Sequence, residues 1–132
     1  MPAESASDFI RRYLAANAAD DFASLDAMRH PDWQEAWPQS GEIVPNSANY
    51  HAARTGQPAG APRVEQGASG GSGDTWWSEA VIHYGDGSRW LGISIFELRD
   101  GFIYRERVYF GPPFQAPEWR AQWVIRGEPA VI

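Results

Sequence analysis

Arg89-Trp-Leu-Gly-Ile-Ser-Ile-Phe-Glu-Leu-Arg-Asp-Gly-Phe-Ile-Tyr-Arg-Glu-Arg-Val-Tyr-Phe110 is two apolar runs joined by Asp100-Gly101. Asp-Gly between such runs is the strongest short hairpin signal, because the favoured two-residue turn needs positive φ at both positions. The turn pairs Arg99 with Phe102, and directly paired residues share a face. One face then carries Leu91, Ile93, Ile95, Tyr104, Glu106, Val108 and Phe110. The other carries Trp90, Ser94, Phe96, Leu98, Ile103, Arg105, Arg107 and Tyr109. The first is the more continuously apolar, so it is expected to cover the helices. Glu106 interrupts it, opposite Ile95 and between Tyr104 and Val108.

A carboxylate buried among apolar groups costs several kcal/mol unless it is paired, hydrogen-bonded or protonated. Burial raises its pKa and suits it to acid or base work near neutrality. Two readings fit Glu106. It touches a ligand as acid or base, or it only accepts a bond from a Trp or Tyr or pairs with an arginine.

A preceding strand, Trp76–Tyr84, joins this hairpin through Gly85-Asp86-Gly87. An even loop points Ser78, Ala80, Ile82 and Tyr84 inward, whereas an odd loop points Glu79, Val81 and His83 inward. Glu79 and His83 are therefore further catalytic candidates whose facing stays open. Trp76-Trp77 must place one ring on each face, and Trp76 is taken as the pocket-side candidate. Upstream, Phe9, Ile10, Tyr13 and Leu14 form one stripe at helical period over about residues 7–17, with Ser7 as N-cap. A second helix is expected from about Asp20 to Met28, capped by Asp20 or Asp21. Arg29 and His30 sit in its last turn, and Pro31 stops it. Residues 32–44 read as short, irregular extended structure, and a third helix runs from about Asn46 to Arg54, ending at Gly56. The stretch 57–73 is loosest, with a brief strand near 63–66 and a flexible glycine-serine loop at about 67–73. The tail, about 112–132, carries Trp119 and Trp123 at helical spacing.

The 132 residues fit one domain, with 43% apolar residues for a core and 21% charged. The net charge of −6 argues against nucleic acid or an anionic membrane as partner. There is no cysteine, which removes disulfides, thiolate metal sites and thiol nucleophiles. His30-Pro-Asp32 and Asn49-Tyr-His51 are too sparse for a metal site. Met1–Asp8 has neither a basic stretch nor an apolar core of a signal peptide. No apolar run approaches the ~20 residues of a membrane span. A soluble cytoplasmic protein is the expectation. Seven tryptophans, five tyrosines and six phenylalanines suit either a core of bulky rings or an aromatic-lined pocket.

The hairpin, with Gly92–Ile103 followed by Tyr104–Phe110, resembles the last hairpin of SnoaL-like proteins. That superfamily, nuclear-transport-factor-2-like in fold, includes polyketide cyclases, limonene epoxide hydrolase, ketosteroid isomerase and scytalone dehydratase. Two helices and then Trp37-Pro-Gln-Ser-Gly-Glu42 before a third helix fit the same layout. The tail Pro112–Val124 resembles a narrower subfamily. The resemblance covers about residues 7–124 and implies an α+β fold: three N-terminal helices packed on a strongly curved antiparallel sheet, forming a cone-shaped pocket. In that layout Trp33 and Trp37 lie beside the pocket mouth, and Tyr50, Trp76, Tyr104, Val108, Phe110 and Trp119 join them as substrate-binding candidates. It further implies a homodimer through the outer face of the sheet, with the tail closing the pocket or lying on the partner.

The family's active sites do not transfer intact. Where the epoxide hydrolase and cyclase pattern has an acidic residue just before the Tyr109-Phe110 pair, this chain has Val108. Glu106 shares its face by period two and could act from there. The hydrolase's Arg-x-Asp pair maps near Glu79 and Val81 and is not reproduced. Tyr50 with Glu106 mimics the isomerase's oxyanion donors only loosely. Function is thus expected to be binding of a small apolar ligand. The enzymatic form is lyase, isomerase or cyclase chemistry on a hydrophobic carbonyl or polycyclic substrate, with Glu106 as acid or base and without cofactor or metal. The alternatives are a non-catalytic carrier or sensor, and a structural dimerisation module.

Overall fold

The computed structural model describes residues 4–129. Helix α1 (Ala6–Ala18) turns Ile10, Tyr13, Leu14 and Ala16 inward, as the apolar stripe requires. Its cap is Ser5, two residues before the expected Ser7, with the Ser5 hydroxyl accepting from the Asp8 amide at 3.1 Å. Helix α2 (Phe22–Met28) is capped by Asp21. Arg29 and His30 do not continue it. Arg29 turns extended (φ −89°, ψ 138°) and opens strand β1 (Arg29–Trp37).

Pro31 is tolerated inside β1 because the pairing breaks there: Arg29 pairs Ile103, and the next pair is Gln34 with Arg105. Residues 32–44, expected to be irregular, are instead most of β1 and β2 (Glu42–Val44), a short antiparallel pair. Helix α3 (Ser47–Thr55) starts at the Asn46 cap and stops at Gly56, as read from the sequence. Then come β3 (Arg63–Ser72), β4 (Thr75–His83), β5 (Arg89–Arg99), β6 (Phe102–Gly111) and a 3-10 turn at Glu118–Trp123. The strands form one curled, unclosed sheet in the order β2-β1-β6-β5-β4-β3. Every neighbouring pair is antiparallel except β1 with β6, which is parallel. The helices cover the concave side, so the fold is the α+β cone. Among the described residues no helix is long and apolar enough to cross a membrane.

The glycine-serine stretch 67–73 is strand for most of its length, not loop. Gly70 and Gly71 pair with Trp77 and Trp76. A Cβ on Gly70 would crowd the Trp77 ring at 3.0 Å, but the position that demands glycine is Gly71. There, at φ +147°, a Cβ would lie 2.4 Å from the Thr75 carbonyl oxygen. Gly71→Ala is expected to cost about 3 kcal/mol, read as a lower urea midpoint. Gly73→Ala meets only its positive φ in open space and should cost about 1 kcal/mol.

The last hairpin departs from its expected faces. Asp100 (φ 53°) and Gly101 (φ 78°) make the tight turn, and Arg99 pairs Phe102 as read. Leu98 then pairs Ile103 but Glu97 pairs Arg105, leaving Tyr104 as a bulge. One extra residue flips β5 relative to β6 beyond that point. Glu106 therefore opposes Phe96, not Ile95, and Val108 opposes Ser94. Phe96 and Ile103, expected outside, are core, and Leu98 packs against that core. Leu91, Ile93 and Ile95, expected inside, belong to the outer face.

Candidate functional site

A cavity of about 400 Å³ lies between the concave sheet and helices α1 and α3. It exists because four adjacent inward positions on β4 and β5 are small: Ser78, Ala80, Gly92 and Ser94. Around them stand Trp37, Tyr84, Trp90, Phe96 and Phe110, which give the hollow flat aromatic walls. The even-loop reading of the first hairpin thus describes the lining, Ser78, Ala80, Ile82 and Tyr84 included.

Two carboxyl groups sit at its floor. Glu35 on β1 and Glu106 on β6 are direct partners across the parallel pair, 4% and 5% exposed, and hydrogen-bonded to each other. The Glu106 Oε1 accepts from the Tyr13 hydroxyl and from the Trp33 indole N–H at 3.0 Å. The Glu35 Oε2 accepts from the Trp37 indole N–H at 2.7 Å. Burial, then the charge of Glu106, then their mutual bond push the Glu35 pKa well above its ordinary value of 4.5. Burial and the neighbouring charge thus favour the neutral form of Glu35, while Glu106 Oε1 already accepts from two donors.

Behind Glu106 the charge is balanced through Tyr13. Arg29, 5% exposed, donates from Nε to the Tyr13 hydroxyl at 2.7 Å and from Nη1 to Ser47 Oγ at 2.7 Å. Its guanidinium lies 3.9 Å from the Trp33 ring centroid and 4.4 Å from that of Tyr50. Ser47 in turn donates to Asp26 at 2.5 Å, and His51 contacts the same oxygen at 2.8 Å. A continuous line of bonds thus links the surface carboxylate of Asp26 to the cavity floor. Tyr13 stays a neutral donor, its pKa raised by burial first and by Glu106 second.

Tyr50 also lines the cavity. Its hydroxyl accepts from Asn17 Nδ2 at 2.8 Å, and its own proton meets no acceptor among the described residues. Burial, then Glu35, push its pKa to about 12, so it too remains a donor.

Of the residues singled out in the sequence, Glu106, Trp37, Tyr50, Val108 and Phe110 line this cavity. The others do not. Glu79 and His83 lie on the outer face, because β4 alternates and Ser78, Ala80 and Ile82 take the inner one. His83 bonds Glu65 at 2.8 Å. Trp33 is packed beneath the floor, reaching the site only through its bond to Glu106. Trp76 packs on the core, bonded to the Gly73 carbonyl. Tyr104, at the bulge, is held away from the cavity between Arg99 and Arg105, each 3.9 Å from its ring centroid. Trp119 is 72% exposed, and among the described residues of the tail none lines this cavity.

Sequence reasoning missed Glu35, Arg29 and Tyr13. The signal for Glu35 was Trp33-x-Glu35-x-Trp37, a period-two face of two indoles around a carboxyl.

No curated protein sequence matches the chain. Among solved structures it is similar to an NTF-2-like protein of unknown function from Burkholderia xenovorans. That match has 34% identity and TM-score 0.76, covering 92% of this chain and 94% of that one. It is similar in fold to a Kribbella flavida protein with a provisional ketosteroid isomerase name (20% identity, TM-score 0.81, 92% and 88% covered). The fold also matches a limonene-epoxide-hydrolase-like epoxide hydrolase of Mycobacterium tuberculosis (20%, TM-score 0.63, 78% and 80%). The SnoaL-like domain profile matches residues 10–106. With three-quarters of its length matched by that profile and its sheet curled into the same cone, this chain belongs to the SnoaL-like domain family of the nuclear-transport-factor-2-like superfamily.

Proposed function

We propose that this protein binds a small, mostly apolar carbonyl compound in the cone and moves a proton on it without a cofactor. The observation that carries the reading is two buried carboxyl groups, Glu35 and Glu106, paired side by side on β1 and β6 at the cavity floor, where burial and the neighbouring carboxylate favour a neutral Glu35. In such a site the substrate oxygen accepts from the Glu35 O–H and from the Tyr50 O–H, two neutral donors in a dry environment. As Glu35 turns its proton toward that oxygen, the Glu106 carboxylate is freed to take a proton from the adjacent carbon. The resulting enol keeps the oxygen-bound proton from Glu35, while Glu106 holds the carbon proton. If the proton on Glu106 is swapped with solvent before it returns to the same carbon, the result is exchange. If it returns to a conjugated neighbouring carbon the result is isomerisation, and in both cases Glu35 takes its proton back with no net change in the dyad.

The test is α-proton exchange of 2-tetralone in D2O followed by NMR. The protein is expected to accelerate exchange at C1, and Glu35→Gln and Glu106→Gln are each expected to lower that rate about 10²- to 10³-fold. Binding of the ketone with no exchange above buffer would favour a carrier and end the catalytic reading.

The outer face of the sheet, where Trp77, Ile93 and Tyr109 stay more than a third exposed, supports association with a second copy there. Phe114, Trp119 and Trp123 on the tail are exposed too and would add to such an interface.

A further inference from the structure

Arg54, in the last turn of α3, lines the cavity with a side chain only 9% exposed. Its fork is partly used. Nε donates to Asp20 Oδ1 at 2.5 Å and Nη2 to the Pro62 carbonyl at 2.6 Å, while Nη1 meets no acceptor among the described residues. Unlike Nη2 of Arg29, the unpaired Nη1 of Arg54 is not sealed, so its N–H groups stay accessible. Tyr84, just past β4, lines the same cavity, and its hydroxyl also meets no acceptor among the described residues. Burial raises the Tyr84 pKa and the nearby Arg54 charge opposes the rise, so the group stays a neutral donor beside the guanidinium. Both lie away from the acid pair. Glu106 opposes Phe96, which is level with Trp76, and the inward positions of β4 step from there through Ser78, Ala80 and Ile82 to Tyr84. Across the cavity, Arg54 follows Tyr50 by four residues, on the same face of α3 and about 6 Å further along its axis.

We infer that Arg54 and Tyr84 form an acceptor-reading subsite, and that the ligand is an uncharged compound with a second carbonyl oxygen remote from the reacting one. This rests on the proposed function for the reacting end, where Glu35 and Tyr50 donate. A carbonyl oxygen has two lone pairs, one for each donor. What the subsite offers is hydrogen bonds and not net charge. Asp20 already balances the guanidinium, and Asp86, which also lines the cavity, is held ionised by its bonds from the Ser88 hydroxyl and amide. A ligand carboxylate would meet two fixed anions and one cation there, whereas a neutral oxygen meets the donors without that repulsion.

The test is calorimetric titration with 6-acetyl-2-tetralone and 6-isopropenyl-2-tetralone, which have the same shape and differ in one remote oxygen. The wild-type protein is expected to bind the acetyl compound about tenfold more tightly, the worth of a hydrogen bond to a charged donor. Arg54→Met should erase that preference while the isopropenyl compound still binds, which shows that the cavity is intact. Tyr84→Phe removes no bond to a described residue and should cut the preference about threefold; it decides the matter if Arg54→Met does not fold. The 6-carboxylate of 2-tetralone should bind more weakly than the acetyl compound. Glu35→Gln should weaken both ketones and keep the ratio between them. No acetyl preference in the wild type, one that survives Arg54→Met or is untouched by Tyr84→Phe, or tighter binding of the carboxylate overturns the subsite. A preference that persists while Glu35→Gln weakens neither ketone overturns the reacting end and leaves the subsite standing. Failure of the wild type to bind either ketone overturns both.

Discussion

Arg29→Met should lower the stability of this protein by about 3–5 kcal/mol, because it removes the buried cation that balances Glu106 through Tyr13 and leaves that carboxylate uncompensated. For a chain of this size that is a fall in melting temperature of roughly 10–20 °C. Methionine keeps the apolar stem between Trp33 and Tyr50 but loses both donated bonds, to Tyr13 and to Ser47. Tyr13 then faces Glu106 with no cation behind it. Burial works against the Arg29 charge, yet Tyr13 and then Glu106 hold its pKa above the ordinary value, so charge balance dominates at this residue. Arg29→Lys should fail nearly as badly, because an ammonium cannot serve two acceptors along the fork of a guanidinium. The second variant that isolates the cause is Arg29→Met with Glu106→Gln. Removing the stranded charge should recover 1 kcal/mol or more of the deficit in thermal unfolding. A single variant within 1 kcal/mol of wild type, or a double variant with purely additive losses, would mean that Arg29 only fills space.

Arg29 is also where the limits of reading the sequence are clearest. As a basic residue before His30-Pro31 it fits a helix C-terminus, and it is indeed the C-cap of α2. Its partners, Tyr13 and Ser47, lie 16 and 18 residues away along the chain, and nothing local announces them. The elements governed by short-range physics were legible: the Tyr13 stripe of α1, the Asn46 cap of α3, the Asp100-Gly101 turn. The faces of β5 were not. A cavity wall is built from small and polar residues such as Gly92 and Ser94, so Leu91, Ile93 and Ile95 gave the more apolar outer face. Apolarity alone then picked the wrong side. The Tyr104 bulge hid the error, since β6 beyond it still presents Glu106, Val108 and Phe110 inward. Glu106 thus faces the cavity although the residue opposite it is Phe96 and not Ile95. Glu35 went unseen because residues 32–44, with Pro38 and Gly41 among them, read as short and irregular. In the fold Pro31 sits in β1 where the ladder is broken, and Pro38 falls just past the end of the strand.

Stability should fall as pH rises above about 4.5, and Glu35→Gln should abolish that part of the fall. In the unfolded chain Glu35 releases its proton near the ordinary value of 4.5. In the folded protein it keeps it to a much higher pH, because burial and then the Glu106 charge oppose a second anion at the floor. Between those two values the native state binds one more proton than the unfolded state. The contribution is thus complete below the unfolded pKa and is lost as pH climbs to the folded one, at up to about 1.4 kcal/mol per pH unit. Glutamine preserves shape and an N–H to donate toward Glu106, but has no proton to lose. The variant should lie near or below wild type at pH 4.5 and gain on it steadily as pH rises. Groups that do not touch Glu35, including the three histidines, cancel in the difference. Urea unfolding of the pair from pH 4.5 to 8 measures it directly. A flat difference would mean that Glu35 ionises in the folded protein as readily as in the unfolded chain, and the neutral acid at the cavity floor, with the chemistry built on it, would be lost.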